Sequence, residues 1–485
     1  MRRVALNAAW NVGGQVVSLG VGLVALPLLL RALGTDRLGV FTLALGLIGL
    51  SGLLDLGLGR ALTQTVSTRL AEGRPRAQLA ALVWRVIGLL AAVGAVFLAV
   101  LWWAAPFLAN RLFLLPPEMA RETVFGLRAL ALSIPFALAA TAAIGTLEGL
   151  QQFRLLSLWR MVMSVLQFGL PVGVALLRPD VGWVIAALAA TRVVWLLVWI
   201  TQLQRFLPRQ RGVRPPRSDL HHALRFSGWL SVSNLIGPLM LYADRFYLAS
   251  QFPPATVAYY TVPFDTTFRA TSLPQTAMNA LFPALAEARN RPDDSGRMVA
   301  LAARVLTVLA FPPVLLVAIF AHHLLAWWLD PGFAGPATPV LQLLLIGIYV
   351  NSLAHVPYAL LQAHGRSDVT AKLHVAELPL FAIMLVLSVH FLGITGAALA
   401  WTMRVALDTG LLYGLAWWLH PAQRRVLLQA AGWVALNGVL LALTVFALPE
   451  DIQAPLAVIV AVLGAVRGLH LLRFLRPASR REPFP

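Results

Sequence analysis

The chain has 485 residues, 59% of them hydrophobic and only 12% charged, with a mean hydropathy of +0.77. Water-soluble domains carry nearer one quarter charged residues, so an ordinary soluble enzyme is excluded. The formal charge is +18 with Lys372 the sole lysine, and no soluble basic domain accompanies it, so nucleic-acid binding is not expected.

Apolar runs recur from end to end, and about twenty such residues cross the hydrocarbon of a bilayer as a helix. No run alternates in the manner of barrel strands. We therefore expect an all-α, polytopic membrane protein, because helices satisfy their own backbone groups where lipid cannot. Fourteen spans are expected near 7–30, 38–66, 79–108, 121–150, 154–177, 181–204, 222–250, 256–287, 297–320, 336–363, 369–391, 394–418, 424–447 and 454–476. The first run, "NAAWNVGGQVVSLGVGLVALPLLL", is long and polar at its start and lacks an A-x-A-like site, so it is expected to stay as a span. There is no cysteine, which excludes disulfides and thiolate chemistry.

The connections sort by charge. "RLAEGRPR" after span two, "RFLPRQRGVRPPR" after span six, "EARNRPDDSGR" after span eight, "HPAQRR" after span twelve and the closing "RFLRPASRR" are basic. The intervening "RPD", "HFLG" and "PED" are poorer in arginine. Basic loops stay in the cytoplasm beside anionic headgroups, so both termini are expected there and the number of spans is even.

An internal repeat overlies these spans. Trp10 precedes Gly34 by 24 residues, as Trp229 precedes Pro253, and "LGVFTL" at 38–43 then aligns with "VAYYTV" at 257–262. "AALAATRV" at 186–193 is echoed by "AALAWTMRV" at 397–405. Two parallel six-helix copies, related by an axis along the membrane normal, are expected. They give an N-lobe over 1–211, a C-lobe over 212–421, and two further helices with a basic cytoplasmic tail over 422–485.

"LPLLLRALGTDRLGVFTLALGLIGLSGLLDLGLGRAL" and "YADRFYLASQFPPATVAYYTVPF…LFPALAEA", with Asp244, Arg245, Tyr260 and Pro283, resemble bacterial polysaccharide flippases. That family lies in the multidrug/oligosaccharidyl-lipid/polysaccharide exporter superfamily, and the resemblance covers about the first 420 residues. It implies two six-helix lobes around a central cavity that carries lipid-linked oligosaccharides from the cytoplasmic to the periplasmic leaflet of the inner membrane by alternating access. The implied cargo is a polyprenyl-diphosphate-linked repeat unit of O-antigen, capsule or exopolysaccharide. Membrane lipids and polysaccharide polymerase or glycosyltransferase proteins are its expected partners, with the chain itself a monomer. The lipid II flippases and the multidrug antiporters stand as relatives whose cargo is an alternative.

A charge at mid-bilayer costs about 2.5–3.5 kcal/mol on insertion scales, so the buried charges need reasons. Asp265 and Arg269 lie roughly 14 and 20 Å along span eight and share one helix face. The family resemblance makes Arg269 the leading contact for an anionic headgroup; a self-neutralising Asp265–Arg269 pair is the competing reading. Asn11 and Gln15 on span one and Asn234 on span seven offer uncharged partners to sugars, or bind helices together. Asp55 and Arg60 lie near the cytoplasmic end of span two, roughly 26 Å along it in the case of Asp55. They form either a cytoplasmic gate or a helix-end cap. Arg31, Arg37, Asp244 and Arg245 gather near the periplasmic ends of spans one and seven, as an outer gate or as interfacial anchors. Arg192 and Arg404 match each other in the repeat, with Asp408 one turn beyond Arg404, and read as structural charges.

No catalytic constellation is visible. "AHH" at 321–323 lacks a third ligand, so no metal is expected, and no phosphate-cradling loop with lysine points to ATP. His355 on span ten is a titratable group in an apolar setting. A polytopic polymerase or ligase would need a large outward loop, whereas the longest outward connections have about a dozen residues. No cofactor is expected; proton or sodium coupling and the membrane potential remain the candidate drives.

Overall fold

A computed structural model describes residues 2–462 apart from 56, 114, 210–212, 214–238, 289–290, 450–451, 454, 457 and 461. All regular structure among these residues is helical. Nine of the described helices are long and apolar enough to cross a membrane. Trp103, Leu177 and Phe391 stand largely exposed on them, which suits contact with hydrocarbon rather than water. The chain divides into two compact units, Met1–Val262 and Pro263–Pro485.

In the first unit α1 (Arg2–Ser51) is two helical limbs joined at Gly34, whose backbone (φ 76, ψ 170) folds the chain without an intervening loop. A β-carbon would strain that left-handed conformation, so glycine belongs there. A 3-10 turn (Gly52–Asp55) leads into α2 (Leu58–Ala71). Next come α3 (Arg76–Phe107), α4 (Pro117–Gly149), α5 (Phe153–Leu177), α6 (Val181–Phe206), α7 (239–251) and the start of α8 (Pro254–Ala270). Asp180 caps α6 by accepting from the backbone N–H groups of Gly182 and Trp183 at 2.8 and 3.2 Å. The core lies where α2, α3 and α4 meet α6, around Leu62, Val83, Leu138, Ala142, Trp199 and Leu203.

In the second unit α9 (Ser272–Glu287), α10 (Pro292–Ile319) and α11 (Ala321–Trp328) precede α12 (Pro331–Ala363). Helix α12 is the most enclosed and packs on α9, α10, α11, α13 and α14. Helix α13 (Ser367–Leu419) bends at Gly393 into two limbs that match the expected spans eleven and twelve, and α14 (Arg424–Phe446) follows.

Two expected spans are not continuous helices. Span two breaks between Ser51 and Leu58, where Gly57 adopts φ 72. Span eight breaks at Thr271, between α8 and α9. Pro274 explains the second break, since its ring has no N–H and would clash with the carbonyl four residues back in a continuous helix.

Candidate functional site

The break in span two accounts for the unusual stretch around Asp55. The Asp55 carboxylate accepts the Gly57 backbone N–H at 2.8 Å, so it caps the chain where α2 starts. Gly59 follows because α2 crosses α4 with the backbones in contact: a β-carbon on Gly145 would lie 2.1 Å from the Gly59 carbonyl oxygen. Thr63 Oγ1 donates across this crossing to the Gly145 carbonyl at 3.0 Å. Small residues at 141, 145 and 149 on α4 make the close approach. Arg60 points outward and is exposed.

At the other end of span two, the limb 35–51 lies against α7 and the start of α8. Built β-carbons on Gly39, Gly46 and Gly49 would collide with Pro254, Arg245 and Tyr242 respectively. The Thr261 hydroxyl donates to that of Thr42 at 2.8 Å, and the Ala255 N–H donates to Asp36 at 3.2 Å. Asp244 and Arg245 are buried in this seam, 0% and 1% exposed. Asp244 accepts from the Tyr260 hydroxyl and from the Arg245 backbone N–H, and the Arg245 guanidinium stands 4.8 Å from the centre of the Tyr242 ring. Arg37 is engaged elsewhere, in a two-pronged pair with Glu122 of α4 at 2.7 and 2.9 Å. Arg31 is exposed. The four charges expected near this end therefore divide among three environments.

Asp265 and Arg269 both sit on α8, half-buried, with Arg269 in the last turn before the break. A guanidinium in the last turn complements the negative end of the α8 dipole. Asn11 and Gln15 lie on the first limb of α1. Asn234 lies outside the described residues.

The matched arginines differ in their company. Arg404 Nη1 stands 3.8 Å from Glu377 Oε2 on the first limb of α13, and His374 Nε2 stands 3.6 Å from Asp408 Oδ1. Among the described residues Arg192 on α6 has no such acid, and its Nε has no hydrogen-bond partner. It points about 160° away from the exposed Val194, so it faces inward rather than toward lipid. Glu122 and Glu377 are the partners that reading the charged loops and gates did not bring out. Glu377 is a carboxylate well inside a long apolar helix, and that placement was the available signal, whereas Glu122 sits in the second turn of α4 and carried none. Among the described residues no three ligating side chains gather into a metal site.

The model of the polysaccharide biosynthesis protein family matches residues 4–289. A Shigella flexneri protein bearing the name "Putative O-antigen transporter" is 26% identical over 409 residues, covering 84% of this chain and 96% of that protein. A solved structure described as the lipid II flippase MurJ in an inward closed conformation gives a TM-score of 0.70 at 10% identity, covering 97% of this chain and 100% of that one. An inward-facing multidrug resistance MATE family transporter gives 0.69 at 15% identity, covering 85% and 99%. A transporter of the same MOP superfamily from Pyrococcus furiosus gives 0.59 at 15% identity, covering 86% and 96%. Identities this low establish a shared fold, and these relatives are transporters and flippases rather than enzymes.

Proposed function

Because the chain belongs to the polysaccharide biosynthesis protein family, we propose that it moves a polyprenyl-diphosphate-linked oligosaccharide from the cytoplasmic to the periplasmic leaflet of the bacterial inner membrane. The observation that carries this reading is the O-antigen transporter likeness, which runs through 84% of this chain and 96% of that protein rather than through one module. The cycle is alternating access, with both termini in the cytoplasm as the arginine-rich loops require. A diphosphate leaving water needs guanidinium groups to replace its hydration with paired hydrogen bonds. Arg269 is the first of these, with Asp265 orienting it and Asn11, Gln15 and Asn234 reserved for sugar hydroxyls. The lipid tail stays in the bilayer. With the cell interior negative, each negative charge carried outward gains about 2.3 kcal/mol per 100 mV.

A lipid II-type peptidoglycan precursor is the second reading, favoured by the fold match that extends over 97% of this chain. Both cargoes carry the same diphosphate, so the test lies in the glycan. Expressed in a strain lacking its own O-antigen flippase, the chain restores surface polysaccharide, and Arg269→Ala and Arg269→Lys both reduce it at unchanged membrane abundance. Restoration of a strain starved of lipid II flipping, without any restoration of O-antigen, transfers the assignment to the second cargo. Full output from Arg269→Ala removes that residue from the passage.

A further inference from the structure

The second unit holds a group of titratable side chains that headgroup binding leaves unused. Three helical segments supply them: α12 and the two limbs of α13 on either side of Gly393. His374 and Glu377 stand on the first limb, Arg404 and Asp408 on the second, His355 and Tyr358 on α12. Glu377 is 2% exposed and Asp408 7% exposed. Both lie roughly 15 Å in from the helix ends at Ser367 and Leu419.

The 3.8 Å from Arg404 to Glu377 and the 3.6 Å from His374 to Asp408 exceed hydrogen-bond length. Among the described residues, both oxygens of Glu377 and Oδ1 of Asp408 consequently have no hydrogen-bond partner. His374 and Glu377 are one turn apart on the first limb and Arg404 and Asp408 one turn apart on the second, so the two contacts bring both carboxyl groups into one cluster. The Tyr358 ring stacks on that of His374 with centroids 6.4 Å apart. Helix α14 also packs on α13 but carries no titratable side chain after Arg425.

Two carboxylates beside one guanidinium leave an excess negative charge in a low-dielectric bundle, where neighbouring like charges do not both persist. One proton cancels the excess and supplies the missing donor between the carboxyls. A metal ion suits the place less well, because Arg404 already sets a cation beside Glu377. The internal duplication sharpens the contrast. Helices α4 and α12 begin and end 214 residues apart, which sets Glu377 against Met163, and Arg192 and Arg404 are 212 apart, which sets Asp408 against Leu196. The first unit keeps the arginine and has apolar residues where the second has its two carboxylates, so the fold of a lobe does not require them.

We propose that Glu377 and Asp408 hold one exchangeable proton, loaded and released through His374, and that this proton couples a pH gradient to the transport cycle. In loading, the proton passes from His374 Nε2 to Asp408 Oδ1, the imidazolium becomes neutral, and the carboxyl pair then shares it. His374 is the entry point because its side chain is 37% exposed while the carboxyls are enclosed. The proton links the two limbs of α13, since Glu377 and Asp408 stand on opposite sides of Gly393. The coupling half of the proposal rests on the transport reading above, and the proton site does not.

The experiment therefore has two arms, both on the full chain reconstituted in phosphatidylethanolamine–phosphatidylglycerol vesicles. Infrared difference spectra between pH 8 and pH 5 read the protonated carboxyl band directly. The expected result is a band that vanishes in Glu377→Gln and in Asp408→Asn, and whose exchange slows in His374→Gln. A band unchanged in both carboxyl variants overturns the site. In the second arm, flipping of fluorescent undecaprenyl-diphosphate N-acetylglucosamine is timed with and without a one-unit pH gradient. One coupled proton allows up to tenfold on the distribution of the probe per pH unit, and this response falls to one in Glu377→Gln. A gradient response equal to wild type in Glu377→Gln overturns the coupling. Absence of any flipping by the wild type, with the band present, refutes the transport reading and the coupling and leaves the proton site standing. Asp408→Asn carries both arms should Glu377→Gln fail to insert.

Discussion

Replacing Gly145 by alanine tests the α2–α4 crossing on which the broken second span rests. The added methyl would lie 2.1 Å from the Gly59 oxygen and 2.8 Å from its carbonyl carbon, both backbone atoms with no rotamer to escape into. Ordinary contact needs about 3.5 Å, so the two helices must part by about 1 Å. Parting them stretches the 3.0 Å bond from Thr63 to the Gly145 carbonyl and opens the seam beside Leu62 and Ala142. Overpacking of this kind costs about 1–3 kcal/mol. The helix preference of alanine over glycine returns about 1 kcal/mol, which leaves a net loss of up to about 2 kcal/mol. Gly88→Ala on α3 is the comparator, because a β-carbon there meets nothing within 4 Å and only the propensity gain remains. Thermal melting of the purified, detergent-solubilised protein, followed by size-exclusion chromatography, should show Gly145→Ala below wild type and Gly88→Ala at or above it. Gly145→Ala melting level with Gly88→Ala would refute the close crossing.

Three further outcomes follow from neighbouring geometry. Asp55→Ala removes the cap on Gly57 and should cost about 1 kcal/mol, and Gly57→Ala, forced to φ 72, should cost about 1–2 kcal/mol; equal melting of wild type and both variants would contradict the helix break. Arg37→Lys keeps the charge but loses the two-pronged contact with Glu122, and a double-mutant cycle of Arg37→Ala with Glu122→Gln should report coupling of about 1 kcal/mol, given their partial exposure. Outside the spans, burial first, and then the neighbouring His364 and Arg366, push the His420 imidazole down to about 4, and its ring lies 4.1 Å from that of His364. A base held below its unfolded value near 6.5 favours the fold in its neutral form, so its share of stability is complete above about pH 6.5 and is lost as pH falls toward 4. Melting temperature measured across that window should fall in wild type and fall less in His420→Gln; identical slopes would refute the assignment.

The helical, membrane-spanning character was legible because hydrophobic run length and loop charge are one-dimensional properties. The double limbs of α1 and α13 were legible for the same reason, since each limb has its own apolar run. The breaks within spans two and eight were not, because they depend on one left-handed glycine and one proline inside sequences that remain apolar throughout. The charges show the same division. That Asp55, Asp244, Arg245 and Arg404 needed explanation followed from their apolar surroundings. Which group answers each of them did not, because Glu122 lies 85 residues from Arg37 and Tyr260 lies 16 from Asp244 on a different helix. Asp55 is the exception that proves local physics readable: its partner is two residues away, and a helix-end cap was among the readings available from the sequence.

Outward movement of a diphosphate-linked saccharide is measured most directly with fluorescent undecaprenyl-diphosphate N-acetylglucosamine in vesicles holding the purified chain. A membrane-impermeant reductant bleaches only the outer leaflet, so flipping appears as additional bleaching with time. Flipping should exceed that of empty vesicles, accelerate under a potential negative on the side of origin, and fall in Arg269→Ala. Bleaching that matches empty vesicles at every potential, from protein shown to be folded, would contradict the account.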